Sequence, residues 1–393
     1  MAVRFLHIAD LHLGLRTTRF APDVAGKLQE ARFQALENVG KRASEKPTDF
    51  ILVCGDLFDD NTVDRSTSER ALRLLNSFAC GVFVLPGNHD PLCAGSVWDR
   101  APWKDIADDD NVRVLRERSP VSVADGVTLL PCPVRSKTSL SDPFDWIHTN
   151  DTQGIRIGVG HGSVMDRPQL PVDDHPIPES TPQDRGLDYV ALGHWHGERR
   201  FADGCMAYPG THEQMRFPDT DFVSGWESRS SVQLAEFNGD GFGNALRVEI
   251  SAHGEKPVVE SVPVGHFRWR DTAHEVMNAD DFEQVFQNLA EAETPERTLL
   301  RVKLRGVLPI AKLAELDGIR SMLNRYVWSD VDQSGLTLTP TDADLSALES
   351  QGMSGKVLTR IQEELASEPP QDRRELLEHA RLVLYRLNQE TAQ

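Results

Sequence analysis

Five times within its first two hundred residues the chain ends a short apolar run on a cluster of histidine, carboxylate or amide side chains. Val3–Ile8 leads into Asp10-Leu11-His12, Phe50–Cys54 into Gly55-Asp56-Leu57-Phe58-Asp59, and Val82–Leu85 into Gly87-Asn88-His89-Asp90. Ile155–Val159 is followed by Gly160-His161-Gly162, and Tyr189–Leu192 by Gly193-His194-Trp195-His196. Short apolar runs bounded by glycine read as buried strands. Helical stripes separate the first three: Leu28, Ala31, Ala35 and Val39, then Ala71, Leu72, Leu75 and Phe78. Strands alternating with helices stack as α/β units. In such sheets the loops after the strands converge on one edge, where ligands bind.

Each cluster alone says little. A single histidine after a strand is more often a satisfied polar residue than a ligand, and the glycines alone are compatible with ordinary turns. Five in order, each ending a strand, form a site. Imidazole, carboxylate and amide oxygen make a mixed N/O set suited to Mn²⁺, Fe²⁺ or Zn²⁺. Seven such groups exceed the needs of one ion with open positions and suffice for two. Two metals about 3.5–4 Å apart can clamp a phosphate diester for in-line attack. The other histidines read as bland: His7 lies inside a strand, and His148, His175, His253, His266, His274 and His379 lack ligand spacing. His212 is open between a supporting role near the metals and a structural one.

Composition narrows the class. With 61 acidic and 42 basic side chains the net charge is −19, which by itself argues against nucleic acid, since phosphate binding relies on a basic surface. The five cysteines form no Cys-x-x-Cys pair, so reduced thiols and a cytoplasmic setting are expected. No apolar stretch reaches the length of a membrane span, and His7 and Asp10 fall where a signal peptide needs an apolar core. A length of 393 residues implies two or three domains.

Further strands are expected at Val127–Leu130, Cys205–Tyr208, Val232–Phe237 and Leu246–Ile250, with a proline-rich irregular loop over Gln169–Pro182. After residue 262 the pattern changes to strand (Gly265–Arg270), helix (Asp280–Glu291), strand (Thr298–Val307) and helix (Ala311–Tyr326), a small α+β domain. Gly335–Pro340 reads as a linker, followed by amphipathic helices over Asp342–Ala366 and Asp372–Gln389. The last carries Leu376, Leu377, Ala380, Val383, Leu384 and Leu387 on one side, apolar surface that must pack on its own domain or on a partner. The expected division is therefore 1–262, 263–334 and 335–393.

The order D-x-H, GD-x-x-D, GNHD, GH and GH-x-H resembles the calcineurin-like metallophosphoesterase superfamily. Within it the runs Phe5–Gly14, Gly55–Asp59, Pro86–Asp90 and Tyr208–Glu213 resemble the DNA-repair exonucleases, the bacterial SbcD- and YhaO-like subunits and the Mre-type nucleases. The likeness is specific over residues 1–220 or so, and beyond that it rests on domain order and length. It implies an α/β fold, a two-sheet β-sandwich core flanked by helices, with a small α+β capping domain and C-terminal helices. It implies one metal held by Asp10, His12 and His196, a second by Asn88, His161 and His194, and Asp56 bridging both. Two divalent ions are expected, Mn²⁺ first, with Fe²⁺, Mg²⁺ or Zn²⁺ as alternatives. By the same likeness His89 faces the scissile phosphate, steadies charge and protonates the leaving oxygen, with Asp59 or Asp90 orienting it.

Metal ligands alone do not choose among phosphoesters. Pro86 stands where Ser/Thr phosphatases of this kind carry arginine, and the chain continues well past a catalytic core. In the strand Leu300–Arg305, alternation sends Arg301, Lys303 and Arg305 to one face, a candidate phosphate-contacting stripe. These features favour DNA over a nucleotide or small-molecule phosphodiesterase substrate. The resemblance adds an SbcC-like SMC-type ATPase docking on the C-terminal helices, and a homodimer. Metals and a few placed cations then hold DNA locally despite the −19 charge, which predicts weak DNA affinity for the subunit alone.

Overall fold

A computed structural model describes residues 2–107, 110–148, 154–165, 174–217, 242–276, 279–291, 294–309, 321–340 and 352–391, with residues 318, 345, 346 and 348. These fall into two compact units: the described residues to 217 together with 242–269, and those from 270 onward.

The first unit holds two six-stranded sheets. The strands are β1 (Val3–Ile8), β2 (Phe50–Cys54), β3 (Gly81–Leu85), β4 (Val112–Val114), β5 (Val121–Ala124), β6 (Val127–Pro131), β7 (Ile155–His161), β8 (Tyr189–Gly193), β9 (Arg199–Phe201), β10 (Met206–Tyr208), β11 (Asn244–Ile250) and β12 (Val258–Pro263). One sheet runs β12-β11-β1-β2-β3-β4 and the other β5-β6-β7-β8-β10-β9. The central strands β1 to β4 and β6 to β8 are parallel, and antiparallel strands close the margins. Helices α1 (Pro22–Glu45) and α2 (Arg65–Asn76) make the crossovers between the first three strands. Asp64 caps α2 by accepting the Thr67 N–H at 2.9 Å.

The continuous apolar character of β2 follows from its place, because all five residues are buried. Phe50, Leu52 and Cys54 pack with Phe5 against Leu129, Ile157, Tyr189 and Ala191 of the other sheet. Ile51 and Val53 face the opposite way, onto Phe33, Leu36 and Val39 of α1 and Ala71 and Leu75 of α2. The result is the expected mixed α/β sandwich with helices outside. Register brings the strand ends level: Cys54 lies opposite Leu85, and His161 opposite Gly193.

A three-stranded sheet, β13 (Arg268–Val276), β14 (Thr298–Pro309) and β15 (Trp328–Thr339), in that order, belongs to the second unit from Arg270 onward. Phe282, Val285, Phe286 and Leu289 of α4 (Ala279–Ala290), which follows the single helical turn α3 (Thr181–Asp184), bury against Leu300, Val302 and Leu304. Helices α5 (Gly352–Ala366) and α6 (Gln371–Thr391) follow.

Several sequence expectations change here. Gly335–Thr339 is strand rather than linker, because it pairs with Arg305–Pro309. The strand placed at Gly265–Arg270 lies further on, at Arg268–Val276, where buried Asp271 masks its apolar pattern by pairing with Arg301. Residue 262 falls inside β12, whose residues are mostly exposed and so carry little apolar signal. Val232–Phe237, most of Ala311–Tyr326 and the first part of Gln169–Pro182 lie outside the described residues. On α6, Leu377 is buried and Leu384 packs toward Leu345, Leu348 and Leu358, while Leu376 and Val383 are exposed. No helix among the described residues is long and apolar enough to cross a membrane, and all five cysteines are free thiols.

Candidate metal centre

All seven expected ligands belong to the first unit and come from both sheets. Asp10 and His12 follow β1, Asp56 follows β2, and Asn88 follows β3; His161 ends β7, and His194 and His196 follow β8. The chain turns sharply at these points. Asp10, His12, Asp56 and His194 have positive φ, four of the nine such non-glycine residues among those described. Left-handed backbone costs about 1–3 kcal/mol at a non-glycine residue and gathers at functional sites. Glycine is required where backbone and ligand meet. Gly55 has φ +90, and a Cβ there would overlap the His161 ring; a Cβ on Gly87 would overlap the Asp56 carboxylate. The glycines of the GD and GN motifs thus leave the space that another expected ligand, His161 or Asp56, occupies.

The donor atoms converge in two overlapping sets. His12 Nε2 lies 3.2 Å from His196 Nε2 and 3.8 Å from Asp56 Oδ2, and Asp10 joins His12 and His196 within 4.8 Å. On the other side His161 Nε2 stands 3.3 Å from Asp56 Oδ2 and 2.7 Å from Asn88 Oδ1, with His194 Nδ1 3.2 Å from the same amide oxygen. Asp56 is common to both. Its Oδ1 accepts the His89 backbone N–H at 2.8 Å, which leaves Oδ2 toward the histidines.

The far nitrogens of these rings fix what the near ones carry. His161 Nδ1 donates to the Cys54 carbonyl at 2.9 Å, His194 Nε2 to Asp174 at 2.9 Å, and His12 Nδ1 to Asp59 at 3.2 Å. In those tautomers the inward nitrogens present lone pairs to one another and to an amide oxygen, an arrangement only a proton or a cation relieves. Burial drives Asp10 up to about 8, with Asp56 adding to the effect. Burial opposes ionisation of Asp56 too, yet the neighbouring His161 holds it well below the usual carboxylate range. Burial alone would lower His161; the Asp56 carboxylate outweighs it and raises the ring to about 9. Burial lowers His196 to about 3, and His12 in the same direction. The buried and part-buried donors, their shared carboxylate and the outer hydrogen bonds that fix His12, His161 and His194 fit a pair of divalent cations.

The family comparison covers the same part of the chain. A family model described as calcineurin-like phosphoesterase matches residues 3–198, from β1 to just past His196. The chain belongs to the calcineurin-like metallophosphoesterases. Among curated relatives of this metallophosphoesterase, it is 23% identical over 231 residues to the uncharacterized metallophosphoesterase YhaO of Bacillus subtilis, covering 55% of this chain and 54% of that one. It is 27% identical over 282 residues to the DNA double-strand break repair protein Mre11 of Aeropyrum pernix, covering 66% and 61%. A Coxiella burnetii protein named as a probable cyclic nucleotide phosphodiesterase is 31% identical over 90 residues, 22% and 32% of the two chains. The alignments to YhaO and Mre11 thus span only about half to three-fifths of those relatives' lengths.

The rest of the metallophosphoesterase site is less regular. His89 lies beside the ligands with its side chain 46% exposed, edge-on to His12 with ring centroids 4.7 Å apart. Its Nδ1 donates to the Asp59 backbone carbonyl at 2.8 Å, while the Asp59 carboxylate is 3.9 Å away and nearer to His12. So the carbonyl of Asp59 orients His89, and its carboxylate serves His12. Asp90 is occupied elsewhere, accepting the N–H groups of Gly87 and Phe58 at 2.7 and 3.0 Å. His212 is buried and donates to the Arg32 carbonyl at 2.8 Å, a structural role; His7 bonds Tyr189 and Leu192 in the core. Two residues near the site carried no sequence signal. Asp174, in the proline-rich stretch, holds His194, whose hydrogen bond keeps this carboxyl down at about 2. Arg32 is buried on α1, where burial lowers it to about 10 against the pull of Glu213 and Asp59.

In the second unit the alternation expected of β14 is present, with Val302 and Leu304 buried on one face. The cationic face is ion-paired: Asp271 Oδ2 accepts from Arg301 Nε at 3.0 Å and lies 3.6 Å from Lys303 Nζ. The register also sets Arg301 beside Asp330 and Lys303 beside Asp332. Arg305 is exposed. The stripe therefore offers phosphate less free charge than the sequence alone implied.

Proposed function

We propose that this chain is a divalent-metal-dependent DNA nuclease, with exonuclease and endonuclease action on phosphodiester bonds. Mn²⁺ is the first candidate ion, held by Asp10, His12 and His196 on one side and Asn88, His161 and His194 on the other, with Asp56 shared. Such cations, when bound, offset phosphate charge and activate water. The observation that carries the reading is the half-exposed His89 at the mouth of a donor set whose other members are buried or part-buried. Held at Nδ1 by the Asp59 carbonyl, its protonated ring presents Nε2–H to a leaving oxygen. The choice of DNA is supported by the likeness to Mre11, which reaches well beyond the residues that the family model matches.

We further infer a DNA-positioning role for the small α+β domain after residue 262 and docking of an SbcC-like SMC-type ATPase on α6. A homodimer working in the cytoplasm completes the picture. Leu376 and Val383, exposed on α6, support the docking role. Leu376→Asp with Val383→Asp is expected to leave nucleolysis by the subunit unchanged and to abolish its co-purification with the ATPase. Retained co-purification removes α6 from the interface.

The central test is incubation of the purified protein and Mn²⁺ with labelled single- and double-stranded oligonucleotides. Metal-dependent cleavage that stops on chelation is expected. The likeness to a cyclic nucleotide phosphodiesterase over 90 residues favours a second reading, a nucleotide or small-molecule phosphodiesterase. Hydrolysis of bis-p-nitrophenyl phosphate or cyclic nucleotides, with no DNA cleaved under any condition, selects that one.

A further inference from the structure

Behind the donor set, a chain of hydrogen bonds leads away from His194. Trp195 Nε1 donates to Ser163 Oγ at 2.9 Å, Ser163 Oγ to Asp174 Oδ2 at 2.5 Å, and His194 Nε2 to that same carboxylate oxygen at 2.9 Å. The backbone of Asp174 is itself fixed. Its carbonyl accepts the Ser163 N–H at 3.1 Å, and the next residue, His175, donates its N–H to the Ser139 carbonyl at 3.1 Å. Trp195 in turn stacks on Tyr208 with ring centroids 5.4 Å apart. The carboxylate is thus held from several directions, and the ring it bonds has its remaining nitrogen 3.2 Å from Asn88 Oδ1.

We propose that Asp174 is the positioning residue of the Asn88–His161–His194 half of the centre, fixing the His194 tautomer so that Nδ1 is the ligand atom. The inference rests on the two-metal reading above. It makes the two halves parallel in construction and separate in support: Asp59 backs His12 at 3.2 Å on one side, and Asp174 backs His194 on the other. A carboxylate behind a ligating imidazole sets its orientation and raises its basicity, and losing such a partner typically costs about 10–100-fold in metal affinity. The loss should fall on one ion.

The test is Mn²⁺ titration of the full chain by calorimetry, followed by electron paramagnetic resonance. Wild type is expected to take two equivalents and give the spectrum of a spin-coupled pair. Asp174→Ala is expected to bind the first equivalent unchanged and the second about 10–100-fold more weakly, leaving the six-line signal of isolated Mn²⁺. Asp174→Asn, which can still accept from Nε2–H, should recover part of the loss, and Ser163→Ala should shift the second equivalent less in the same direction. Two equivalents at wild-type affinity in Asp174→Ala overturn the assignment. Equal weakening of both, with a lowered melting temperature of the metal-free protein, overturns it in favour of a general structural role. A wild-type chain that takes up fewer than two equivalents defeats the two-metal reading itself, and this assignment with it.

Discussion

A His89→Ala variant is expected to keep its divalent metal and to lose about 10²–10⁴-fold in phosphodiester turnover, the range for a positioned proton donor. The geometry separates the two effects. The proposed ligands Asp10, His12, Asp56 and His161 are buried, whereas half of the His89 side chain faces solvent and its Nδ1 is already taken by the Asp59 carbonyl. Its removal therefore leaves the donor set standing. The leaving group offers a sharper discrimination. An alkoxide leaving from a DNA strand needs a proton, whereas p-nitrophenolate hardly does. The loss with an oligonucleotide should then exceed the loss with bis-p-nitrophenyl phosphate. Equal losses on both substrates would point to charge stabilisation without proton transfer, and loss of metal would make His89 a ligand.

Gly55→Ala should damage both stability and metal binding. Alanine at φ +90 meets the left-handed penalty of about 1–2 kcal/mol, and its methyl group would lie 2.6 Å from Cγ of His161. Overpacking of this kind typically costs about 1–3 kcal/mol more. The ring cannot retreat without breaking its 2.9 Å hydrogen bond to the Cys54 carbonyl. Gly95→Ala is the control, since Gly95 has φ +78 and nothing within 4 Å of a new Cβ. Denaturant unfolding of the metal-free proteins should show the larger loss at Gly55, and metal titration should show weakened uptake there alone. Matching losses in the two variants would mean that the clash is absorbed and only backbone strain counts.

What could be read in the sequence was whatever recurs at strand ends. The parallel strands are buried on both faces, so β2 is apolar throughout, and the residues just beyond such strands stand out by contrast. Glycines next to Asp56 and Asn88 stand out for a related reason, because His161 and Asp56 respectively fill the space of a side chain there. What could not be read depends on long-range pairing. Asp174 lies in an irregular segment and matters only because the fold brings it to His194. The carboxylate of Asp59 serves His12, while its backbone carbonyl, which no sequence pattern can reveal, holds His89. On β14 alternation identified the cationic face, but not the buried Asp271 that neutralises part of it. The stretch Gly335–Thr339 looked like a linker because glycine and threonine hide an edge strand that a twelve-residue partner stabilises.

The donor atoms come from two different sheets: Asp10, His12, Asp56 and Asn88 follow strands of one, while His161, His194 and His196 belong to the other. An ion shared between them, as proposed above, would act as a removable cross-link between the two sheets at their strand ends. It would bind the folded chain and have no comparable site in the unfolded one. At a free concentration of 100 times its dissociation constant, such an ion adds about 2.7 kcal/mol to folding. Supply of that ion would then set the lifetime of the protein as well as its activity. Starvation for the metal would thin the population of molecules by unfolding and proteolysis, beyond merely idling those that remain.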